Sequence, residues 1–119
     1  MTVIHAEEFM RLGLEATIAR IRQVVGGGPT YLSFDIDSLD PAFAPGTGTP
    51  EIGGLSSREA MELVRGCAGL NLVGGDVVEV APMYDSTSNT AHAGAQMLFE
   101  IFSVVAMARA KGDKPKRSK

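Results

Sequence analysis

Thr30-Tyr31-Leu32-Ser33-Phe34-Asp35-Ile36-Asp37 begins with β-branched, aromatic and aliphatic residues and closes on two carboxylates. Its first seven residues predict a short strand, Thr30 to Ile36. Upstream, Leu14, Ile18, Ile21 and Val25 recur on one helical face, so residues 6–25 predict a helix. Gly26-Gly27-Gly28-Pro29 stops it, because flexible residues and a missing N–H do not extend a helix. Downstream, Ser56-Ser57-Arg58-Glu59 has capping-box spacing. The helix it opens should pack through Ala60, Val64, Cys67 and Ala68 and end near Gly69. Asn71 to Val80 predicts a second strand, whose run Val77-Val78-Glu79-Val80 reads as buried on both faces. A last helix from about Thr90 should bury Ala95, Leu98, Phe102, Val105 and Ala106. A helix between two buried-looking strands is a βαβ unit, which implies a parallel sheet and an α/β fold. Two strands cannot cover both faces or both edges of such a sheet, so the unit reads as part of a larger α/β body.

Composition narrows the function classes. The chain has 119 residues, 45% hydrophobic and 21% charged, which fits one ordinary domain. No run approaches the ~18 unbroken apolar residues of a membrane span. The single cysteine, Cys67, excludes an internal disulfide framework and a cysteine-rich zinc module, and reads as a small core residue. Residues 109–119 carry Arg109, Lys111, Lys114, Lys116, Arg117 and Lys119 against Asp113 alone, and read as a basic, disordered tail. The body, residues 1–108, has five Arg and no Lys against thirteen acids, which argues against nucleic acid as a partner. Nothing suggests a membrane partner.

From Asp37 to Leu55 the chain is loop chemistry, with Pro41, Pro45, Pro50, Gly46, Gly48, Gly53 and Gly54. An ordered loop of this length in a compact domain is usually functional. Ligands of open parallel sheets bind at the carboxyl ends of the strands. Both strands finish in acids there: Asp35 and Asp37 on the first, Glu79 on the second. Alternation along the strand puts Asp35 and Asp37 on one face, where their charges repel. No Lys or Arg lies between Arg22 and Arg58, so a divalent metal is the economical neutraliser, and hard oxygen ligands favour magnesium or manganese. Asp40-Pro41 reads more simply as a turn start, Glu51 as a solvated loop residue, and Asp76 as a turn or surface residue. His5 and His92 lie away from the strand ends and read as structural or exposed.

An Asp-x-Asp pair after an apolar strand occurs in haloacid-dehalogenase-type phosphatases, nucleotide-sugar glycosyltransferases and ureohydrolases. A phosphatase needs a downstream Lys, and none occurs before Lys111. The stretch Ser33-Phe34-Asp35-Ile36-Asp37-Ser38-Leu39-Asp40-Pro41-Ala42-Phe43-Ala44-Pro45-Gly46-Thr47-Gly48-Thr49-Pro50-Glu51, followed by Gly53-Gly54-Leu55, resembles a signature block of the arginase/agmatinase (ureohydrolase) family. Val78-Glu79-Val80-Ala81-Pro82 resembles that family's later Glu-bearing strand end, and the resemblance covers roughly residues 3–108. Within the family these segments look more like agmatinases and guanidinobutyrases than arginases.

The resemblance implies a three-layer αβα fold with a parallel sheet, of which this chain holds the C-terminal β-α-β-α part. It implies metal-dependent hydrolysis of a guanidino compound, most readily agmatine to putrescine and urea, on two Mn²⁺ ions. Asp35 would bridge both ions and Asp37 would bind one. Glu79 would hold the guanidinium, with Thr47 and Thr49 in the loop beside the metals. The partners implied are the small guanidino substrate and other subunits, either in a homo-oligomer or as a complementing ureohydrolase chain. The compartments implied are cytoplasm or mitochondrion, with cytoplasm for a bacterial source. The family's earlier Gly-Gly-Asp-His and Asp-Ala-His-x-Asp segments, and its upstream proton-shuttling His, do not occur in this sequence. The chain is therefore expected to be inactive alone, and no residue within it is assigned as catalytic. The alternative is a non-catalytic remnant or oligomerisation module of the same fold.

Overall fold

The computed structural model describes residues 1–112. Helix α1, Ala6–Val25, presents Leu14, Ile18, Ile21 and Val25 on a partly buried side, as the periodicity predicts. It is not continuous, however. Gly13 adopts φ 75°, ψ 173° and kinks the helix, a conformation open to a residue without a Cβ. Helix α2, Ser57–Gly66, begins with the predicted capping box: the Ser56 side chain accepts from the Glu59 amide at 3.2 Å, and the Ser56 amide donates to Glu59 Oε2 at 2.8 Å. Arg22 ties α1 to the other end of α2 by donating to the carbonyls of Gly66 and Ala68 at 2.8 and 2.6 Å. Those carbonyls would otherwise be left unpaired at the helix terminus.

Strands β1, Thr30–Asp35, and β2, Leu72–Val78, pair in parallel, with Ser33 opposite Asp76 and Asp35 opposite Val78. Both are shorter than expected, for local reasons. After Asp35 the chain tightens into a 3-10 turn, Ile36–Ser38, and after Val78 the backbone of Glu79 turns left-handed at φ 66°. Helix α3, Asn89–Gly112, lies along β2, and Gly75 lets it approach: a Cβ there would sit 2.6 Å from Ile101 Cγ2. The core is built from Ile36, Leu39, Leu72, Met97 and Ile101, with Ala60 and Val64 of α2 closing it.

The buried face of α3 differs from the expected one. Thr90, Gly94, Met97, Ile101 and Val104 point inward, whereas Ala95, Phe102 and Ala106 are exposed and Leu98 and Val105 are only partly buried. Two features of the sequence hide this. The helix is apolar nearly all round, so hydrophobic periodicity offers two faces, and the inward face contains a charge. Glu100 is buried because Arg65 of α2 reaches it with two hydrogen bonds, 2.9 and 2.7 Å, and Gln96 adds a third at 3.0 Å. By length and composition Asn89–Ala110 could cross a membrane, but its Met97–Val104 face is packed on β2 and carries this ion pair. The helix also takes in residues 109–112, which the charge pattern assigns to the basic tail, and residues 113–119 lie outside the described part.

The opposite face of the sheet carries Tyr31, Ser33, Asp76 and Val78. Asp76 accepts from Tyr31 Oη at 3.0 Å and Ser33 Oγ at 2.7 Å, which bridges the two strands on their uncovered side. Val78 is exposed and Val77 and Val80 are partly buried. The expectation that this run is buried on both faces therefore fails within the described residues, because helices cover only one side of the pair. The parallel α/β architecture stands, with the sheet and one helical layer supplied here.

Candidate active site at the strand ends

The first strand delivers its acids by a turn rather than by pleat alternation. Asp35 caps the 3-10 turn, its Oδ1 accepting the amide of Asp37 at 3.1 Å, while Ser38 Oγ donates to the Asp35 carbonyl at 2.7 Å. Ile36, between the two acids, is fully buried and anchors the turn in the core. Because Asp35 pairs with Val78, Glu79 emerges beside it at the end of β2. Burial pushes the Asp35 carboxyl above its ordinary range. The Asp37 amide opposes that shift, and the charges of Asp37 and Glu79 add to it. The strand ends therefore gather three acidic side chains whose charges act on one another.

The loop after them is held by its own side chains. Thr49 Oγ1 donates to Asp37 Oδ2 at 2.7 Å. Asp40 accepts the amides of Ala42 and Gly53, each at 2.8 Å, which keeps its carboxyl below the usual range. This is the turn role expected of Asp40. Leu39 and Leu55 form a short parallel bridge, and Gly54 packs there so tightly that a Cβ would lie 2.6 Å from the Asp40 amide nitrogen. Thr47 is buried, and its hydroxyl has no hydrogen-bond partner among the described residues. Glu51 is exposed, as expected.

A second set of contacts ties this loop to α3, and sequence reasoning missed it. Gly46 donates its amide to Thr90 Oγ1 at 2.8 Å and accepts the Ala81 amide at 2.8 Å. Asp85 accepts the amide of Thr90 at 2.9 Å and both the amide and hydroxyl of Thr87, at 2.9 and 2.8 Å. These bonds, with Thr90 the largest influence, drive the Asp85 carboxyl far below its ordinary value. The signal was present in Asp85-Ser86-Thr87, a turn-forming Asp followed two residues later by Thr, just ahead of a helix.

Metal binding can be tested on the donor set itself. Among the described residues the ion pairs are Arg58–Glu62 and Arg65–Glu100, so no cation answers Asp35, Asp37 or Glu79. One oxygen of each aspartate is engaged by Asp37 N–H or Thr49, which leaves the other for a ligand. Hard oxygens at this density suit a divalent cation. They do not complete a site, since no group of three His, Cys, Asp or Glu side chains among the described residues is arranged to hold a metal. His5 and His92 are exposed, at the start of α1 and in the first turn of α3. The thiol of Cys67 is pushed up by burial and donates to the Leu63 carbonyl at 3.5 Å, as a core residue would.

The arginase family model matches residues 1–103. The chain belongs to the arginase family. It is 62% identical over 109 residues to a guanidinopropionase of Pseudomonas aeruginosa, covering 92% of this chain and 34% of that protein. It is 58% identical over 103 residues to a guanidinobutyrase of the same organism, covering 87% of this chain and 32% of that protein. Among solved structures, a hypothetical agmatinase from Burkholderia thailandensis superposes with a TM-score of 0.86 at 50% identity, over 96% of this chain and 36% of that one. The chain thus spans about a third of the length of the curated arginase-family relatives it matches. These relatives are hydrolases of guanidino compounds, and the family's α/β fold is the one described here.

Proposed function

We propose that Asp35, Asp37 and Glu79 form part of the active site of a metal-dependent guanidino hydrolase. The observation that carries this reading is the convergence of three acids at the carboxyl ends of two parallel strands, with no basic side chain paired to them among the described residues. Asp35 and Asp37 each keep one oxygen free of the hydrogen bonds from the Asp37 amide and Thr49, and would be the chain's contribution to a two-manganese site. Manganese, when bound, makes water acidic enough to supply a nucleophile near neutral pH. Glu79 presents a two-oxygen acceptor that matches the fork of a guanidinium and would orient it by charge-assisted hydrogen bonds. Thr49 fixes Asp37. The buried hydroxyl of Thr47, free of any partner in the described residues, is available to a bound group.

The substrate class is a linear guanidino compound with a short chain. Agmatine, giving putrescine and urea, is the candidate that the Glu79-Val80-Ala81-Pro82 strand end suggests. The names of the two Pseudomonas relatives add short guanidino acids to the panel. Assembly with further subunits belongs to the same reading, as does a cytoplasmic or mitochondrial setting.

A second reading, a non-catalytic module of the same fold, is favoured by one observation: the described residues do not close a metal site. Urea release separates the two. The chain with Mn²⁺ is expected to release no measurable urea from agmatine, 4-guanidinobutyrate or 3-guanidinopropionate. Mixed with a polypeptide carrying Gly-Gly-Asp-His and Asp-Ala-His-x-Asp segments, it should gain activity that is lost on Asp37→Ala. Turnover by the chain alone would mean another ligand set exists. Failure of the mixture on every substrate would favour the non-catalytic module.

A further inference from the structure

We infer that Thr90, held by Asp85, is a positioning residue that sets the loop carrying Thr49 in register with the strand end carrying Glu79. This rests on the reading of Asp35, Asp37 and Glu79 as a metal-dependent hydrolase site. Thr90 is fully buried at the start of α3, distant in sequence from every acid of that site. Its hydroxyl accepts the Gly46 amide at 2.8 Å, and Thr90 is the largest influence lowering the Asp85 carboxyl. Asp85 also fixes the Thr90 backbone by accepting its amide at 2.9 Å. Gly46, the residue so held, is joined on its carbonyl side to the Ala81 amide at 2.8 Å, two residues beyond Glu79. On its chain side it leads through Thr47 and Gly48 to Thr49, which binds Asp37.

The Thr90 hydroxyl therefore braces the residue through which the two strand ends are joined, and the fit leaves little slack. A Cβ at Gly46 would lie 2.8 Å from Asp85 Cβ and 2.9 Å from Thr90 Oγ1. Thr90→Val keeps the shape of the side chain but removes the hydroxyl and leaves the buried Gly46 amide without an acceptor. Thr90→Ser keeps the acceptor.

Hydrogen–deuterium exchange on the full chain, with and without Mn²⁺, tests this. Without metal, T90V should speed exchange at Gly46, Thr47, Thr49 and Ala81 by roughly tenfold or more. Exchange in β1 and at residues 97–104 of α3 should be unchanged, and T90S should behave as wild type. Acceleration spread evenly over the whole domain, or none at residues 46–49 and 81, overturns the proposal. With Mn²⁺, wild type and T90S should gain protection at Asp37 and Thr49 and T90V should not. Equal protection in T90V overturns the positioning role. Absence of any Mn²⁺ effect in wild type counts against the metal reading instead, and the metal-free comparison then decides the role of Thr90 by itself.

Discussion

Thr49 donates its hydroxyl to Oδ2 of Asp37 at 2.7 Å, so the orientation of one carboxylate of the proposed metal site is set by a residue twelve positions further along the chain. Groups that orient a metal ligand typically change affinity by about 10–100-fold when removed. Thr49→Val should weaken Mn²⁺ binding by about that factor in relaxation titrations run at millimolar metal, where even a partial ligand set gives a signal. Thr49→Ser should retain wild-type binding. Equal titration curves for T49V and wild type would show that the hydroxyl has no hand in it.

The crowding of acids around Asp35 should appear in the pH dependence of stability. Its carboxyl is raised above the ordinary value of 3.8, chiefly by burial, so the folded state holds this proton more tightly than the unfolded chain. That contribution is fully present below 3.8 and is lost as pH rises through the folded value. Asp35→Asn keeps the acceptor for the Asp37 amide and removes the ionisation. Relative to wild type, it should therefore be more stable at pH 7 than at pH 3.5 in urea denaturation, and the reverse order would contradict the sign.

Glu100 works in the opposite direction. Arg65, and secondarily Gln96, hold its carboxyl below the ordinary 4.5. The stabilisation is present above that value and is lost as pH falls through the lower folded one. Arg65→Met should destabilise the chain at pH 7, because a buried carboxylate loses its partner, with the effect moderated by the half-exposed Arg side chain. The penalty should shrink below pH 4. A cost that does not vary with pH would point to lost packing rather than lost charge.

Gly54 and Gly48 sit in the same loop and should respond differently to alanine. At Gly54 a Cβ would meet backbone of residues 38–40 within 2.8 Å, and no rotamer change can relieve that. At Gly48 nothing lies within 4 Å. Gly54→Ala should cost about 1–3 kcal/mol of unfolding free energy, against at most about 0.5 kcal/mol for Gly48→Ala. Similar midpoints for the two variants would mean that the Leu39–Leu55 bridge is softer than its geometry implies.

The parts of this structure that were legible in the sequence are those set by local chemistry. Ser56 and Glu59 announce a helix start whatever surrounds them, and Thr30 to Asp35 can pair only as a strand. The acids at the strand ends were found because the chain places no basic residue near them in sequence. What was not legible depends on contacts between distant segments. The inward face of α3 is decided by Arg65 reaching Glu100, and no pattern within α3 records that. The kink at Gly13 is a choice between two conformations glycine tolerates. Asp85 acquires its role only from Thr90 and Gly46, which folding brings beside it. Asp35 and Asp37 act on one another, but across a turn that alternation along an extended strand does not describe.

The left-handed backbone at Glu79 has an evolutionary corollary. A non-glycine residue at φ 66° carries strain on the order of 1 kcal/mol, which glycine would relieve at once. Libraries randomised at this codon should therefore diverge according to the screen applied. Survivors chosen for thermal tolerance would drift to glycine, whereas, on the function proposed above, those chosen for urea release in a mixture with a complementing polypeptide would keep the carboxylate and tolerate a less comfortable chain. If both populations settled on the same residue, folding and chemistry would not be in competition at this position.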